Sequence, residues 1–371
     1  MGKMNEKPTR FYPENVKCYP LECNHNKIKY CLKGLFANKK GYSIYNNDYK
    51  KTLMNLYIYG RNVEIFKKIR KIIIKEEIVL DNPAIYSYWL TFGISTIKLR
   101  YFINDKTNYM PVSLSRGHRY DLYSEINRYN YQPLQDEAIR LLDFVCPCSD
   151  TGTVYLKKKY PNQSHKIITC RLGTRYHEDY KVKHITKKKL FVTCSGLRPV
   201  KRLDLFAKGF ALASKKHKDI VWVCIGDGVE KNSIYQIVEK ENISDKVLFL
   251  GNMTNDNVYD YYKNNFIYCF VNVSSSEGIP VSIMEAASYG IPVIATDVGG
   301  TSEIVDTSNG ILLNKDCTSV DICKAIANIC NLSDNDYSIK RQCSRKKWEQ
   351  KFSAEVNYFN WINRLINKKD G

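Results

Sequence analysis

The sequence lacks any apolar run long enough to cross a membrane. The segment from Met1 to Arg10 is polar, so we expect no signal peptide. Recurring C-x-x-C pairs are also missing, because the 13 cysteines are irregularly spaced and Cys146 and Cys148 stand too close for a common metal pair. Reduced thiols in a cytoplasmic protein explain this spacing better than disulfides or zinc.

Nucleic-acid signatures are absent as well. The chain has 57 Lys and Arg against 38 Asp and Glu, but no Arg-rich helix, zinc-finger spacing or aromatic RNA-binding string. The net charge of +19 leaves two explanations open. One is compositional bias, since Lys, Ile, Asn and Tyr are all abundant. The other is attraction to an anionic membrane surface or a phosphorylated acceptor, and neither explanation needs a nucleic acid.

Two cofactor patterns are missing. No G-x-G-x-x-G is followed by an acid about twenty residues later, which argues against a dinucleotide-dependent dehydrogenase. No Asp-x-Asp string stands in a loop at the end of a predicted strand, where it would hold a metal ion. We therefore expect neither a cofactor nor a metal.

What the sequence does contain is a strand–loop–helix–strand pattern over 267–295. Ile267 to Asn272 is an apolar run of strand length, and Val281 to Ser288 has helical character. Pro280 suits the first helical turn, where no N–H is needed. The loop between them is predicted to lie at the carboxyl end of a strand, where open parallel sheets bind ligands. Its N–H groups, with those of the first turn, predict an anion site.

Two acids frame this loop. Glu277 lies in it and Glu285 lies in the helix, eight positions later, so both can face one crevice. Acids beside an anion site favour a ligand with phosphates and hydroxyl groups, such as a nucleotide sugar. Spacing alone leaves a second interpretation open, in which Glu277 caps the helix and Glu285 is solvated.

The wider string favours the ligand site. EGIPVSIMEA (277–286), preceded by SSS and followed by GIPVIA and GGTSEI, resembles the retaining nucleotide-sugar glycosyltransferases of family 4, which have the two-domain GT-B architecture. The resemblance is to the exopolysaccharide, capsule and colanic-acid type subgroup. It implies that Glu277 contacts the hydroxyls of the donor sugar and Glu285 those of the ribose. The backbone that faces the sugar and diphosphate is then that of Gly278, Ile279, Pro280 and Val281.

A polar loop in the first half carries a histidine. His118 stands in SRGHRYDLY (115–123), after a predicted strand over 109–114. On pattern alone, a single histidine is more often a surface or core residue than a catalytic one. A similar S-R-x-H-x-x-D-L-Y string, with SYWL upstream, occurs in the same subgroup. The resemblance implies that His118 approaches the donor sugar from the first domain.

A basic loop follows the first strand of the second half. GLRPVKR (196–202) would supply cations to a diphosphate, although solvated basic residues explain it equally well on spacing. In the family, a Lys follows an Arg by five residues. Lys201, with its neighbour Arg202, fills the Lys position, but Gly196 stands where the Arg is expected, and Arg198 is the candidate substitute. Met253, in the loop after the strand over 247–250, lies where the family holds the base.

These patterns predict an α/β fold of two Rossmann-like, doubly wound domains that face a cleft. We expect an acceptor-side domain over 1–173, a linker over 174–189, a donor-binding domain over 190–345, and a final helix over 346–371 that crosses back to the first domain. The family's first strand and Gly-rich loop have no counterpart before Ile85. We therefore expect the first domain to be incomplete, lacking one strand–helix unit.

The resemblance implies a metal-independent transferase that moves a sugar, with retention, from a nucleoside diphosphate donor to a hydroxyl acceptor. Uridine is the expected base, and front-side attack with the leaving phosphate as base requires no protein nucleophile. A lipid-linked or saccharide acceptor in cell-surface polysaccharide synthesis suits the charge, as does a cytoplasmic location peripheral to the inner face of the membrane. The alternative is a truncated, non-catalytic remnant that binds a nucleotide sugar or a partner.

Overall fold

Two compact units make up the chain. The computed structural model describes residues 16–21, 26–38, 44–127, 129–176 and 188–367, without the side chains of 364–367. The first unit comprises residues 1–147 and 153–168, and the second comprises 148–152 and 169–371. No helix in the described ranges combines the length and hydrophobicity that a bilayer crossing requires.

The first unit contains a parallel three-stranded sheet in the order β1-β2-β3. Its strands are β1 (Ala84–Ser87), β2 (Val112–Gly117) and β3 (Phe144–Pro147). Its helices are α1 (Lys27–Ala37), α2 (Tyr49–Lys75), α3 (Gly93–Thr107), α4 (Arg119–Leu122) and α5 (Gln135–Leu141), and α6 (Asp150–Lys159) begins in the second unit.

Helices α1 and α2 pack tightly against each other. Tyr30 and Gly34 are the buried residues of α1, and Tyr59 and Gly60 are buried in α2. A Cβ at Gly60 would stand 1.9 Å from the carbonyl oxygen of Tyr30. The remaining faces of α1 are therefore turned away from this contact.

Several predicted boundaries in the first unit need correction. The helical spacing of apolar residues over 62–75 predicts a helix that starts at Asn62, but the helix begins at Tyr49. Asp48 caps it there by accepting the N–H of Lys50 at 2.8 Å. The string KIITC (166–170) predicts a further strand, but this prediction is wrong. A 3₁₀ helix occupies Pro161–Lys166, and only Ile167 forms a bridge, with Val145 of β3.

Before Lys50 the described residues form α1 and no strand. The incomplete first domain stays a prediction, as do the domain boundaries, the cleft and the crossing of the last helix. The linker predicted over 174–189 lies mostly outside the described residues.

The second unit is built on a parallel six-stranded sheet in the order β6-β5-β4-β7-β8-β9. Its strands are β4 (Lys189–Cys194), β5 (Ile220–Ile225), β6 (Val247–Gly251), β7 (Ile267–Asn272), β8 (Val293–Thr296) and β9 (Gly310–Leu313). Its helices are α7 (Leu203–Ser214), α8 (Lys231–Lys240), α9 (Asn255–Asn264), α10 (Val281–Ser288), α11 (Ser319–Cys330), α12 (Asp334–Lys351) and α13 (Ala354–Asn367).

Both faces of this sheet are covered by apolar cores. Phe191 and Val192 are neighbours on β4, yet they belong to two different buried clusters, because successive side chains point to opposite faces. Strands buried on both faces read as continuous apolar runs, which is how the sequence revealed them. The predicted α/β fold with parallel sheets is confirmed.

Candidate functional site

The centre of the six-stranded sheet is a topological switch point. Strands β5 and β6 extend the sheet on one side of β4, while β7, β8 and β9 extend it on the other. In open parallel sheets, ligands bind where the strand order reverses, beyond the carboxyl ends of the strands. Here that place lies between the loop after β4 and the loop after β7.

A lysine and a glutamate join these two loops. The Nζ of Lys201 lies 2.6 Å from the Oε1 of Glu277. The side chains are 23% and 13% exposed, so the pair is half-buried but reachable from solvent. Asn272, the last residue of β7, donates its side-chain amide to the same oxygen at 3.3 Å. The loops are also tied through the backbone, since Ser275 donates its N–H to the carbonyl of Val200 at 2.8 Å.

The two arginines of the basic loop have different surroundings. The guanidinium of Arg202 donates to the carbonyls of Val273 and Lys315, both at 2.7 Å, and thereby braces the loop after β7. Arg198, three positions before Lys201 in the chain, is exposed. Of the two, Arg198 has the side chain with room to meet an anion, whereas Arg202 is engaged by backbone oxygens.

The first turn of α10 has no side-chain cap. Pro280 is the N-cap residue, with extended backbone, and Ile279 and Pro280 are buried. The carbonyl of Gly278 accepts the N–H of Gly300 at 2.6 Å, so a second glycine turn supports this loop from behind. The helix dipole and the N–H groups of the first turn attract negative charge at this end.

Glu285 lies near the carboxyl ends of the strands, as the switch point does. It is 8% exposed, and its Oε1 accepts the side-chain amide of Asn255, the first residue of α9, at 2.7 Å. Burial, with Glu285 as the next cause, raises the pKa of Cys194 to about 12. Cys194 is the last residue of β4, so Glu285 and Glu277 both lie at the carboxyl end of that strand. Met253, in the loop after β6, is half-buried and packs against the buried cluster that contains Val192.

The second glycine turn has a structural task that the sequence did not reveal. Glu303 follows it and accepts the N–H groups of Asp150 and Thr151, each at 3.0 Å, as well as the hydroxyl of Thr151 at 3.1 Å. These N–H groups belong to the first turn of α6. Glu303 thus caps a helix that is distant in sequence.

In the first unit, His118 follows β2 and starts α4. Its N–H donates to Asp121 at 2.8 Å, and its ring lies between those of Tyr88 and Trp89, with centroids 4.5 and 4.7 Å away. Burial, reinforced by Arg116, lowers the pKa of His118 to about 4, so the imidazole is neutral at pH 7. Its Nε2 is buried and makes no hydrogen bond to a described residue. A neutral ring with an open nitrogen can exchange a hydrogen bond with a ligand hydroxyl.

Three polar residues at these sites escaped the sequence reasoning. Asn272 and Asn255 had no signal beyond their places at a strand end and a helix start, and Glu303 was visible only as part of a string.

No group of three His, Cys, Asp or Glu side chains that could hold a metal ion occurs within the described residues.

The fold and the site define an α/β protein with a ligand crevice of the Rossmann type. Comparison of the sequence with protein-family models identifies the type of domain. Residues 177–346 match the family model described as "Glycosyl transferases group 1". The second unit therefore contains a domain of the glycosyl transferases group 1 family.

The chain is also similar to individual proteins, in sequence or in fold. The GtfA subunit of a UDP-N-acetylglucosamine–peptide N-acetylglucosaminyltransferase from Streptococcus agalactiae is 27% identical over 195 residues, which cover 51% of this chain and 37% of that protein. Among solved structures, HepE from Anabaena in complex with UDP and glucose gives a TM-score of 0.58 at 16% identity, covering 74% of each chain. The apo lipopolysaccharide outer core galactosyltransferase WaaB gives 0.62 at 15%, covering 83% of this chain and 80% of that one. These likenesses confirm the predicted GT-B type of α/β fold.

Proposed function

We propose that this protein transfers a sugar from a UDP-sugar to a hydroxyl acceptor with retention at the anomeric carbon. The observation that carries the proposal is the ion pair of Lys201 and Glu277 at the switch point, next to an uncapped helix end. A cation, an acid and an N-terminal helix turn are what a ligand with phosphates and sugar hydroxyls requires. The GtfA and HepE relatives, named with UDP, support uridine as the base.

Electrostatic stabilisation is the proposed source of catalysis. Lys201, Arg198 and the N-terminal turn of α10 would offset the charge that develops on the leaving diphosphate, as fixed donors do in other transferases. These cations make a metal unnecessary in our proposal, and a chelator should leave turnover unchanged. Glu277 would orient the sugar hydroxyls, and Glu285, held by Asn255, the ribose. His118 would meet the donor sugar as a neutral hydrogen-bonding group.

We further propose a lipid-linked or saccharide acceptor used in cell-surface polysaccharide synthesis, with the protein peripheral to an anionic membrane surface. The net charge of +19 and the likeness to a lipopolysaccharide galactosyltransferase support this assignment.

The test is turnover of a panel of nucleoside diphosphate sugars. Nucleotide release is measured with and without simple saccharide acceptors, and NMR gives the anomeric configuration of the product. We expect turnover of a UDP-sugar by the wild type and none by Glu277→Ala. The matched control is Glu239→Ala, an exposed acid on α8, which should remain active. Equal turnover by the folded wild type and Glu277→Ala would overturn the proposal, as would an inverted product.

A further inference from the structure

A separate surface of the first unit lies along α1, α2 and α3. Three grooves of about 680, 360 and 440 Å³ follow one another there. The first and third share Lys67, and the second and third share Arg70, so the grooves form one continuous surface. We call it the basic face. Its lining has no part in the site described above.

The α1 side of the basic face carries an apolar stripe beside Lys29 and Lys33. Ile28, Leu32, Leu35 and Phe36 repeat at helical spacing on the side of α1 opposite Tyr30 and Gly34, which bury against α2. Ile28 and Phe36 are each 75% exposed, and Leu32 and Leu35 about half. Four large apolar side chains in one exposed stripe mark an interaction surface.

The α2 side of the basic face is cationic. One exposed stripe runs along the last turns of α2 at positions i, i+3, i+4, i+7 and i+8, and it consists of Lys67, Arg70, Lys71, Ile74 and Lys75. Lys67 and Lys71 make no ion pair with a described acid. Like charges at this spacing repel one another along the helix, so their clustering does not stabilise the helix itself.

The charge balance of the lining is far from that of the chain. The three grooves are lined by eight cations and one acid, Asp105; the cations are Lys29, Lys33, Lys67, Arg70, Lys71, Lys75, Lys98 and Lys106. The whole chain has 57 cations to 38 acids. Compositional bias spreads over a surface, so it does not explain this concentration.

We propose that the basic face docks on an anionic lipid bilayer, with the apolar stripe of α1 inserted at the headgroup boundary and the cations of α2 and α3 against lipid phosphates. Amphipathic helices with basic flanks bind membranes in this way. A nucleic acid would use the cations but not the exposed Ile28 and Phe36. The basic face would be the surface through which the protein associates with the membrane, and this docking does not depend on sugar transfer.

The experiment is co-sedimentation of the full chain with vesicles. One set contains phosphatidylcholine alone, and the other contains phosphatidylcholine with phosphatidylglycerol. We expect binding to the anionic vesicles only, weakening as salt is raised. Turnover in solution is measured on the same samples, so that failure of docking and failure of sugar transfer are told apart.

Two variants probe the two halves of the surface. Lys67→Gln/Lys71→Gln/Lys75→Gln should weaken vesicle binding by about a hundredfold, since each lysine near an anionic surface contributes about fivefold. Ile28→Gln/Phe36→Gln should weaken it by at least about tenfold at high salt, because only apolar insertion persists there. Gln keeps helix propensity close to that of Lys, and the replaced side chains are exposed.

The control is Lys215→Gln/Lys216→Gln/Lys218→Gln, which removes the same charge from exposed positions of the second unit. It should bind vesicles almost as the wild type does. The proposal fails if this control loses as much binding as the α2 variant, or if neutral vesicles bind equally well. It also fails if Ile28→Gln/Phe36→Gln binds anionic vesicles as tightly as the wild type at high salt and the wild type binds duplex DNA more tightly than vesicles, which would assign the face to nucleic acid.

Discussion

At the scale of single residues, the site depends on side chains that hold other side chains. Glu277 is held by Lys201 and Asn272, and Glu285 by Asn255. A buried carboxylate without partners is costly, and a hydrogen bond to a charged group contributes about 1.5–3 kcal/mol. Asn272 and Asn255 should therefore affect ligand affinity although they need not touch the ligand.

The first prediction concerns Asn255. Asn255→Ala removes the amide that fixes Glu285, so the donor KM should rise by about tenfold while kcat changes by about twofold or less. Steady-state kinetics with a UDP-sugar measure both constants. Asn257→Ala, an exposed position of the same helix, is the control. Asn255→Asp would place a second carboxylate beside Glu285, and its defect should ease as the pH is lowered. A loss confined to kcat would contradict the assigned role.

The second prediction concerns the titration of His118. The folded pKa of about 4 lies below the ordinary value of 6.5, so this group contributes stability above pH 6.5 that is lost as the pH falls towards 4. Burial raises the pKa of the neighbouring Asp121 to about 6, above its ordinary value of 3.8. Asp121 thus contributes stability at low pH that is lost as the pH rises through 6. Because the two effects oppose each other between pH 4 and 6, total stability is a poor readout.

NMR of the histidine ring measures the His118 titration directly. We expect a midpoint near 4 in the wild type and a clear rise in Trp89→Leu, which removes one of the two rings that bury the imidazole. Arg116, Asp121 and Tyr88 are retained in that variant, so the shift would report burial alone. A wild-type midpoint near 6.5 would contradict the buried environment.

At the scale of elements, the site is assembled by turns that pack against each other. The loop after β7 is supported by the glycine turn after β8, and the carbonyl of Gly278 accepts the N–H of Gly300. Gly299 has φ +57, and a Cβ on it would stand 2.1 Å from the carbonyl oxygen of Glu277. The shape of the candidate donor loop therefore depends on a turn about twenty residues later in the chain.

The third prediction compares two glycines with similar backbone angles. Gly299→Ala should displace the loop at Glu277 and lower both the melting temperature and turnover. Gly251→Ala has φ +67 but nothing within 4 Å of the added Cβ, so it should cost only the backbone strain, about 1 kcal/mol. Calorimetry and kinetics measure the two effects. If both variants lost the same stability and kept full turnover, the contact between the turn at Gly299 and the loop at Glu277 would not be needed for activity.

At the scale of the whole molecule, the chain consists of two compact units with separate sheets. The two acids Glu277 and Glu285, the basic loop 196–202 and the uncapped end of α10 all lie in the second unit. His118 and the basic face lie in the first. A ligand that binds one folded unit stabilises that unit by mass action.

The fourth prediction follows from this division. Calorimetry should resolve two unfolding transitions, one for each unit. UDP should raise the melting temperature of the second unit only, because it increases the free energy of unfolding of that unit by about 2.7 kcal/mol at a ligand concentration a hundred times the Kd. Glu285→Gln should reduce the shift, while Glu239→Ala should not. An equal upward shift of both transitions would show that UDP binding is not confined to the second unit.

Much of the second unit could be predicted from sequence. The strand Ile267–Asn272 and the helix Val281–Ser288 have the predicted bounds, because apolar runs and helix-start residues are local signals. The first unit was harder. The strand predicted over 166–170 is a single bridge, since a run of apolar residues does not reveal whether a neighbouring strand continues to pair with it.

The amino-acid order by itself determined the α/β class, the parallel strands and the candidate loop with its two acids, since these follow from periodicity and from residue types that are close in the chain. Only the tertiary structure decided which side chains meet. Lys201 and Glu277 are 76 positions apart, Asn255 and Glu285 are 30, and Thr151 and Glu303 are 152. Strand order brings the residues of the first two pairs together at the carboxyl ends of the strands, and a pattern with a period of two or 3.6 residues contains no information about strand order.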